Sequence, residues 1–164
     1  MKTDPQKKSN NDSFYSDILK EDELGATIRA HIYIESALEK LIETLTSDYA
    51  HVKKMQLDFS QKVNLAVAIG MPKNLAPALL ALGKIRNKFA HRLDTKINEE
   101  LTNNLYKQFS PEQRNTIHAS FKNTLKKKLD QRMNFSDLNP REKFAILSVA
   151  LRMQIFTLTS IYSE

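Results

Sequence analysis

The sequence predicts an all-α fold, an irregular helical bundle of about five to seven helices. Apolar residues recur at intervals of three and four over long segments, as on one face of a helix. Only three glycines and five prolines interrupt the 164 residues, and no segment longer than four residues alternates with the period of a strand. We expect a flexible tail over residues 1–12 and a single helical domain over residues 13–164.

A short helix is predicted to begin around Ser13, with Phe14 and Ile18 one turn apart, and three longer helices follow in the first half of the chain. The first of the three covers about residues 22–46, and its apolar stripe consists of Ile34, Leu38, Leu41 and Leu45. Ser60 is the predicted N-cap of a second helix over residues 61–70, which Gly70 ends. A third helix is predicted over residues 74–93, with Leu75, Leu79, Leu82, Ile85 and Phe89 on its core face.

Two local motifs predict where the later helices begin. Ser110, followed by proline and then by Gln113, has the form of a capping box, and it predicts a helix over residues 111–131. Asn139 and Glu142 repeat this pattern before a final helix with an apolar seam from Phe144 to Tyr162. A weaker helical stretch covers residues 97–109, and residues 134–139 are predicted to form a loop.

Composition excludes several classes of protein. The chain contains no cysteine, so disulfides and thiolate metal sites are absent. The first 13 residues lack the apolar segment of a secretory signal, and no run is expected to be long enough to span a bilayer, so we expect a cytoplasmic protein without membrane contact. Glu35, Glu39 and Glu43 form a ladder without the histidine that a carboxylate metal site would need. We therefore expect no metal and no cofactor.

The most informative segment is residues 85–91, near the end of the third predicted helix. Asn87 and His91 are four residues apart and share a helix face, whereas Arg86 lies about 100° from Asn87 and Phe89 points to the core. Each of these residues also has a possible structural role. Arg86 can form an ion pair with Asp94 or with an acidic residue of the first long helix. Asn87 can cap a helix or bridge two helices through its amide, and His91 can hydrogen-bond to the last carbonyls of its helix. Of the other histidines, His31 is predicted to be an interior residue, and His51 and His118 lack partners at useful spacing.

The Arg-Asn-x-x-x-His pattern of this segment resembles the signature of the HEPN superfamily of all-helical domains. The wider chain, over about residues 24–161, resembles more narrowly the MltR (mannitol operon repressor) family. Four segments carry that resemblance, residues 25–38, 59–70, 85–91 and 139–144.

The two resemblances imply two functions. MltR-like proteins resemble regulators of transcription that lack a standard helix-turn-helix, which implies a bacterial regulatory protein that binds protein or nucleic acid, as a homodimer. HEPN nucleases are metal-independent endoribonucleases of toxin–antitoxin or phage-defence systems, in which the arginine stabilises phosphate charge and the histidine transfers protons. That alternative makes Arg86, Asn87 and His91 catalytic. Whether the chain is an enzyme stays open at this point.

A second cationic region lies downstream of the motif. Over residues 113–132, six basic residues stand against Asp130 alone, within a chain whose formal net charge is +6. Such a run attracts nucleic acid, RNA rather than DNA if the HEPN resemblance holds, or simply keeps a helix face in solvent. The candidate nucleic-acid-binding residues are Lys122, Lys126, Lys127, Lys128 and Arg132.

Overall fold

The computed structural model describes residues 5–121 and 134–163, and the described residues form eight α-helices with no strand, which confirms the all-α bundle. The helices are α1 (Pro5–Lys20), α2 (Glu23–Leu45), α3 (Tyr49–Lys54), α4 (Phe59–Ala68), α5 (Ala76–His91), α6 (Glu99–Lys107), α7 (Pro111–Ser120) and α8 (Pro140–Tyr162). Short 3-10 turns cover Lys73–Leu75 and Phe135–Asp137. The run from Lys122 to Arg132, predicted to bind nucleic acid, lies outside the described residues.

Local capping chemistry places several helix starts where the sequence predicts them. The Ser110 hydroxyl accepts a hydrogen bond from the Gln113 amide at 3.3 Å, and the Gln113 side chain accepts one from the Ser110 amide at 2.7 Å. Asn139 and Glu142 form the same reciprocal pair at the start of α8, with both bonds at 3.0 Å. Each pair satisfies two backbone N–H groups that a helix start otherwise leaves free.

Two predicted helix starts were wrong, and one helix was missed. Helix α1 begins at Pro5, whereas a helix start near Ser13 was expected. Asp58, not Ser60, is the N-cap of α4, because Asp58 stands three residues before Gln61 and forms the capping box with it. The sequence analysis also missed α3, a helix of six residues with Asp48 as its N-cap.

The core lies mainly between α2 and the C-terminal helix α8, with α1 packed against both. Ile34, Leu38 and Leu41 of α2 are fully buried, as the apolar stripe predicts. Helix α8 is long and apolar enough to cross a bilayer by length and composition, so the expectation that no run reaches that length was wrong. In the fold, α8 buries ten side chains and carries Arg152, whose guanidinium lies over the ring of Phe14 at 5.0 Å.

Helix α5 crosses close to α4 at Gly83. A Cβ atom added at Gly83 would lie 2.9 Å from Cδ1 of Phe59, closer than carbon atoms pack, so the absence of a side chain permits this approach. The Phe59 ring lies in turn against the imidazole of His31 on α2, with 4.4 Å between the ring centroids. This contact of three helices sets the direction in which α5 leaves the bundle.

Candidate functional site

The C-terminal turns of α5 project from the bundle. From Arg86 to Asp94 every side chain is exposed except Phe89, which is 5% exposed and anchors the segment to the core. Leu93, directly after the helix, is fully exposed. We call residues 84–96 the α5 end. Phe89 is the one buried side chain between Arg86 and Asp94, so this stretch presents its polar groups to solvent.

The motif residues Arg86, Asn87 and His91 are all exposed. Nη1 of Arg86 donates a hydrogen bond to Oδ1 of its neighbour Asn87 at 3.1 Å. The predicted structural roles are not found among the described residues: Arg86 forms no ion pair with Asp94 or α2, and His91 forms no side-chain hydrogen bond. The fold therefore leaves these three polar groups free to meet a partner.

Arg86, Asn87 and His91 all lie on one regular α-helix, which fixes the directions of their side chains relative to one another. Helix α5 continues through His91, and the chain turns to extended backbone only at Arg92, with φ −138° and ψ 119°. A five-residue separation on a regular helix places Arg86 and His91 about 140° apart. Asn87 and His91 share the outward face, as predicted, while Arg86 lies on the side of α2.

Arg86 approaches a buried polar cluster on α2 and α4. His31 is 7% exposed, and its Nδ1 lies 3.6 Å from Oε2 of Glu35. Burial lowers the pKa of His31, the Glu35 carboxylate opposes that change, and the positive charges of Arg86 and Lys62 add to it. His31 is thus the interior histidine that the sequence predicts, and its surroundings disfavour the protonated form.

Lys62 neutralises the acidic ladder of α2. Its Nζ donates to the carboxylates of Glu35 and Glu39, at 2.6 Å each. Burial lowers the pKa of Lys62, but the two carboxylates outweigh burial and leave the pKa raised. Glu43 pairs separately with Lys40 at 2.8 Å. The ladder is therefore a set of ion pairs, and the described residues contain no cluster of three metal-ligating side chains.

A separate cavity of about 530 Å³ lies between α6, α7 and the start of α8, and no motif residue lines it. The Tyr106 hydroxyl and Nε2 of His118 are 2.8 Å apart on its wall, so the expectation that His118 lacks a partner was wrong. Lys143, which is 9% exposed, lies 2.9 Å from a carboxylate oxygen of Glu99 at its edge.

The sequence analysis missed the cations around the motif itself. Lys84 and Lys88 lie one turn apart in the second half of α5, and Arg92 and Lys96 follow the helix. All four side chains are exposed. The signal was present, because Lys84, Asn87, Lys88 and His91 have the i, i+3, i+4, i+7 spacing of one helix face.

Comparison with known proteins found no relative of this chain. The sequence matches no protein-family model and no curated protein, and the fold matches no solved structure.

Proposed function

We propose that this protein is an intracellular bacterial regulator of the MltR-like type that acts through binding, as a homodimer. One observation carries the proposal. Arg86, Asn87 and His91 are held in solvent on the projecting α5 end, and no packing or ion pairing with the described residues employs them. Exposed polar groups on a rigid element are what recognition of a macromolecule requires.

The geometry favours binding over catalysis within a single chain. Acid–base cleavage of a phosphodiester needs the cationic group and the imidazole within reach of one phosphate. Arg86 and His91 leave a regular helix about 140° apart, and the cavity of about 530 Å³ lies among other helices. A binding surface, by contrast, uses groups on several sides of one projecting helix.

An exposed apolar stripe on α2 supports the homodimer. Leu24, Ile28 and Ile32 are 40%, 36% and 58% exposed, and they follow one another at four-residue intervals. A second copy packed on this stripe would bury it. Light scattering should return twice the chain mass of 18.9 kDa, and a mass equal to one chain would contradict the dimer.

The second candidate is a metal-independent endoribonuclease of a toxin or defence system. It is favoured by the same exposure, because both Arg86 and His91 are accessible to a phosphodiester. Since the helix stays regular to His91, one copy would have to contribute Arg86 and another His91 across a two-fold axis. The enzyme would then exist only as the dimer.

Purified protein incubated with mixed cellular RNA in EDTA separates the two candidates. A regulator should leave the RNA intact, and the His91→Ala variant should behave identically. A nuclease should cleave it, leave cyclic phosphate ends, and lose about 10²–10⁴ of its rate in His91→Ala, because proton transfer is removed. Cleavage by the wild type that disappears in His91→Ala would overturn the regulator proposal.

A further inference from the structure

The α5 end concentrates positive charge. Between residues 84 and 96 it contains one carboxylate, Asp94, and five cations, all of them exposed: Lys84, Arg86, Lys88, Arg92 and Lys96. None of the five forms an ion pair with a described carboxylate, whereas Lys40, Lys62 and Lys143 all do. The charge of the α5 end is therefore available to a partner.

Two of these cations, Lys84 and Lys88, lie on the outward face of the helix. They are four residues apart, which separates them by about 6 Å along the axis, and Arg92 follows directly after the last helical residue. Asn87 and His91 stand on the same face as the two lysines. This face thus combines positive charges with hydrogen-bonding side chains.

We propose that this face binds the phosphodiester backbone of a nucleic acid. Lys84, Lys88 and Arg92 would neutralise successive phosphates, and Asn87 and His91 would hydrogen-bond to phosphate or sugar oxygens. The inference rests on the proposed binding function and names its partner and surface. It adds the α5 end to the candidate residues Lys122, Lys126, Lys127, Lys128 and Arg132, which lie outside the described residues.

The chemistry of this face distinguishes a nucleic acid from an acidic protein. Interfaces between proteins contain an apolar core from which charged residues are depleted. The exposed positions 84, 87, 88 and 91 are all polar, and four-residue spacing of cations suits a partner whose negative charges repeat regularly. Contacts to phosphate and sugar oxygens do not read the bases, so binding should be independent of base sequence.

The test measures fluorescence anisotropy of a labelled 20-nucleotide RNA and of a DNA duplex of the same sequence. The variant Lys84→Glu/Lys88→Glu is compared with the control Lys54→Glu/Lys73→Glu, which reverses two exposed lysines on α3 and in the turn before α5. Both variants change the net charge equally. We expect wild-type binding that weakens steeply with salt, a loss of at least about tenfold in affinity for the α5 variant, and a change below about threefold for the control.

The outcomes separate this inference from the proposed function. Absent wild-type binding, equal losses in both variants, or equally tight binding of poly-glutamate would overturn the nucleic-acid surface. The RNA and duplex arms show which nucleic acid presents the backbone. The integrity of the RNA recovered from the binding mixture tests whether the protein is a regulator or a nuclease. Cleaved RNA would overturn the regulator proposal without affecting the proposed binding surface. Intact RNA, with binding lost only in the Lys84→Glu/Lys88→Glu variant, supports both proposals.

Discussion

Leu147→Asp is expected to remove most of the stability of the fold. Leu147 of α8 is fully buried, and the variant places a carboxylate in the apolar core without a partner. An uncompensated buried charge costs about 3–5 kcal/mol, and the lost packing of leucine adds to it. Because small domains are stable by only about 5–15 kcal/mol, urea unfolding followed by circular dichroism should show most of the stability gone.

Met153→Asp is the matched control for this prediction. Met153 lies on the same helix but is 40% exposed, so the new carboxylate stays hydrated and the stability should change by less than about 1 kcal/mol. A helix that packs against the core loses stability when a charge is placed on its buried face and tolerates a charge on its exposed face. If both substitutions are equally harmful, α8 does not pack as described, and its length and apolar composition would then need another explanation.

Phe89→Ala is expected to lower the unfolding free energy by about 3–5 kcal/mol, the usual cost of removing a buried aromatic ring. Phe89 is 5% exposed and is the one buried side chain between Arg86 and Asp94. The variant should also loosen the α5 end, so that hydrogen exchange of the backbone amides in this segment accelerates more than exchange in α2.

Leu93→Ala provides the comparison for Phe89→Ala. Leu93 is fully exposed four residues later, so its truncation should change stability by less than about 0.5 kcal/mol. Equal effects of the two substitutions, or unchanged exchange in Phe89→Ala, would contradict the description of residues 86–94 as an exposed segment that Phe89 holds to the core.

Sequence predicts best where structure is decided by neighbours in the chain. The capping boxes of Ser110 with Gln113 and of Asn139 with Glu142 are complete within four residues, and both helices begin where expected. The α2 stripe was readable because burial on one face produces a helical period. Between Asp58 and Ser60 both side chains can cap a helix, and only the three-residue distance to Gln61 favours Asp58.

Contacts between residues that are far apart in the sequence could not be predicted from the sequence. The apposition of Asn87 and His91 follows from helix geometry, but the approach of Arg86 to His31, 55 positions earlier in the chain, requires the packing of α5 on α2. The same holds for Lys62, whose two carboxylate partners lie on another helix. Closeness in the sequence also suggested Asp94 as a partner of Arg86. Sequence spacing does not determine the direction of the exposed loop that contains Asp94, so this ion pair could not be tested from the sequence.

The central claim, that the fold does not use the motif, is tested most directly by the stability of the triple variant Arg86→Ala/Asn87→Ala/His91→Ala. All three side chains are exposed, and their one mutual hydrogen bond, between Arg86 and Asn87, is at the surface. Urea unfolding at pH 8 should therefore give a free energy within about 0.5 kcal/mol of the wild type. A loss of more than about 1.5 kcal/mol would contradict the account, because the motif would then hold the bundle together.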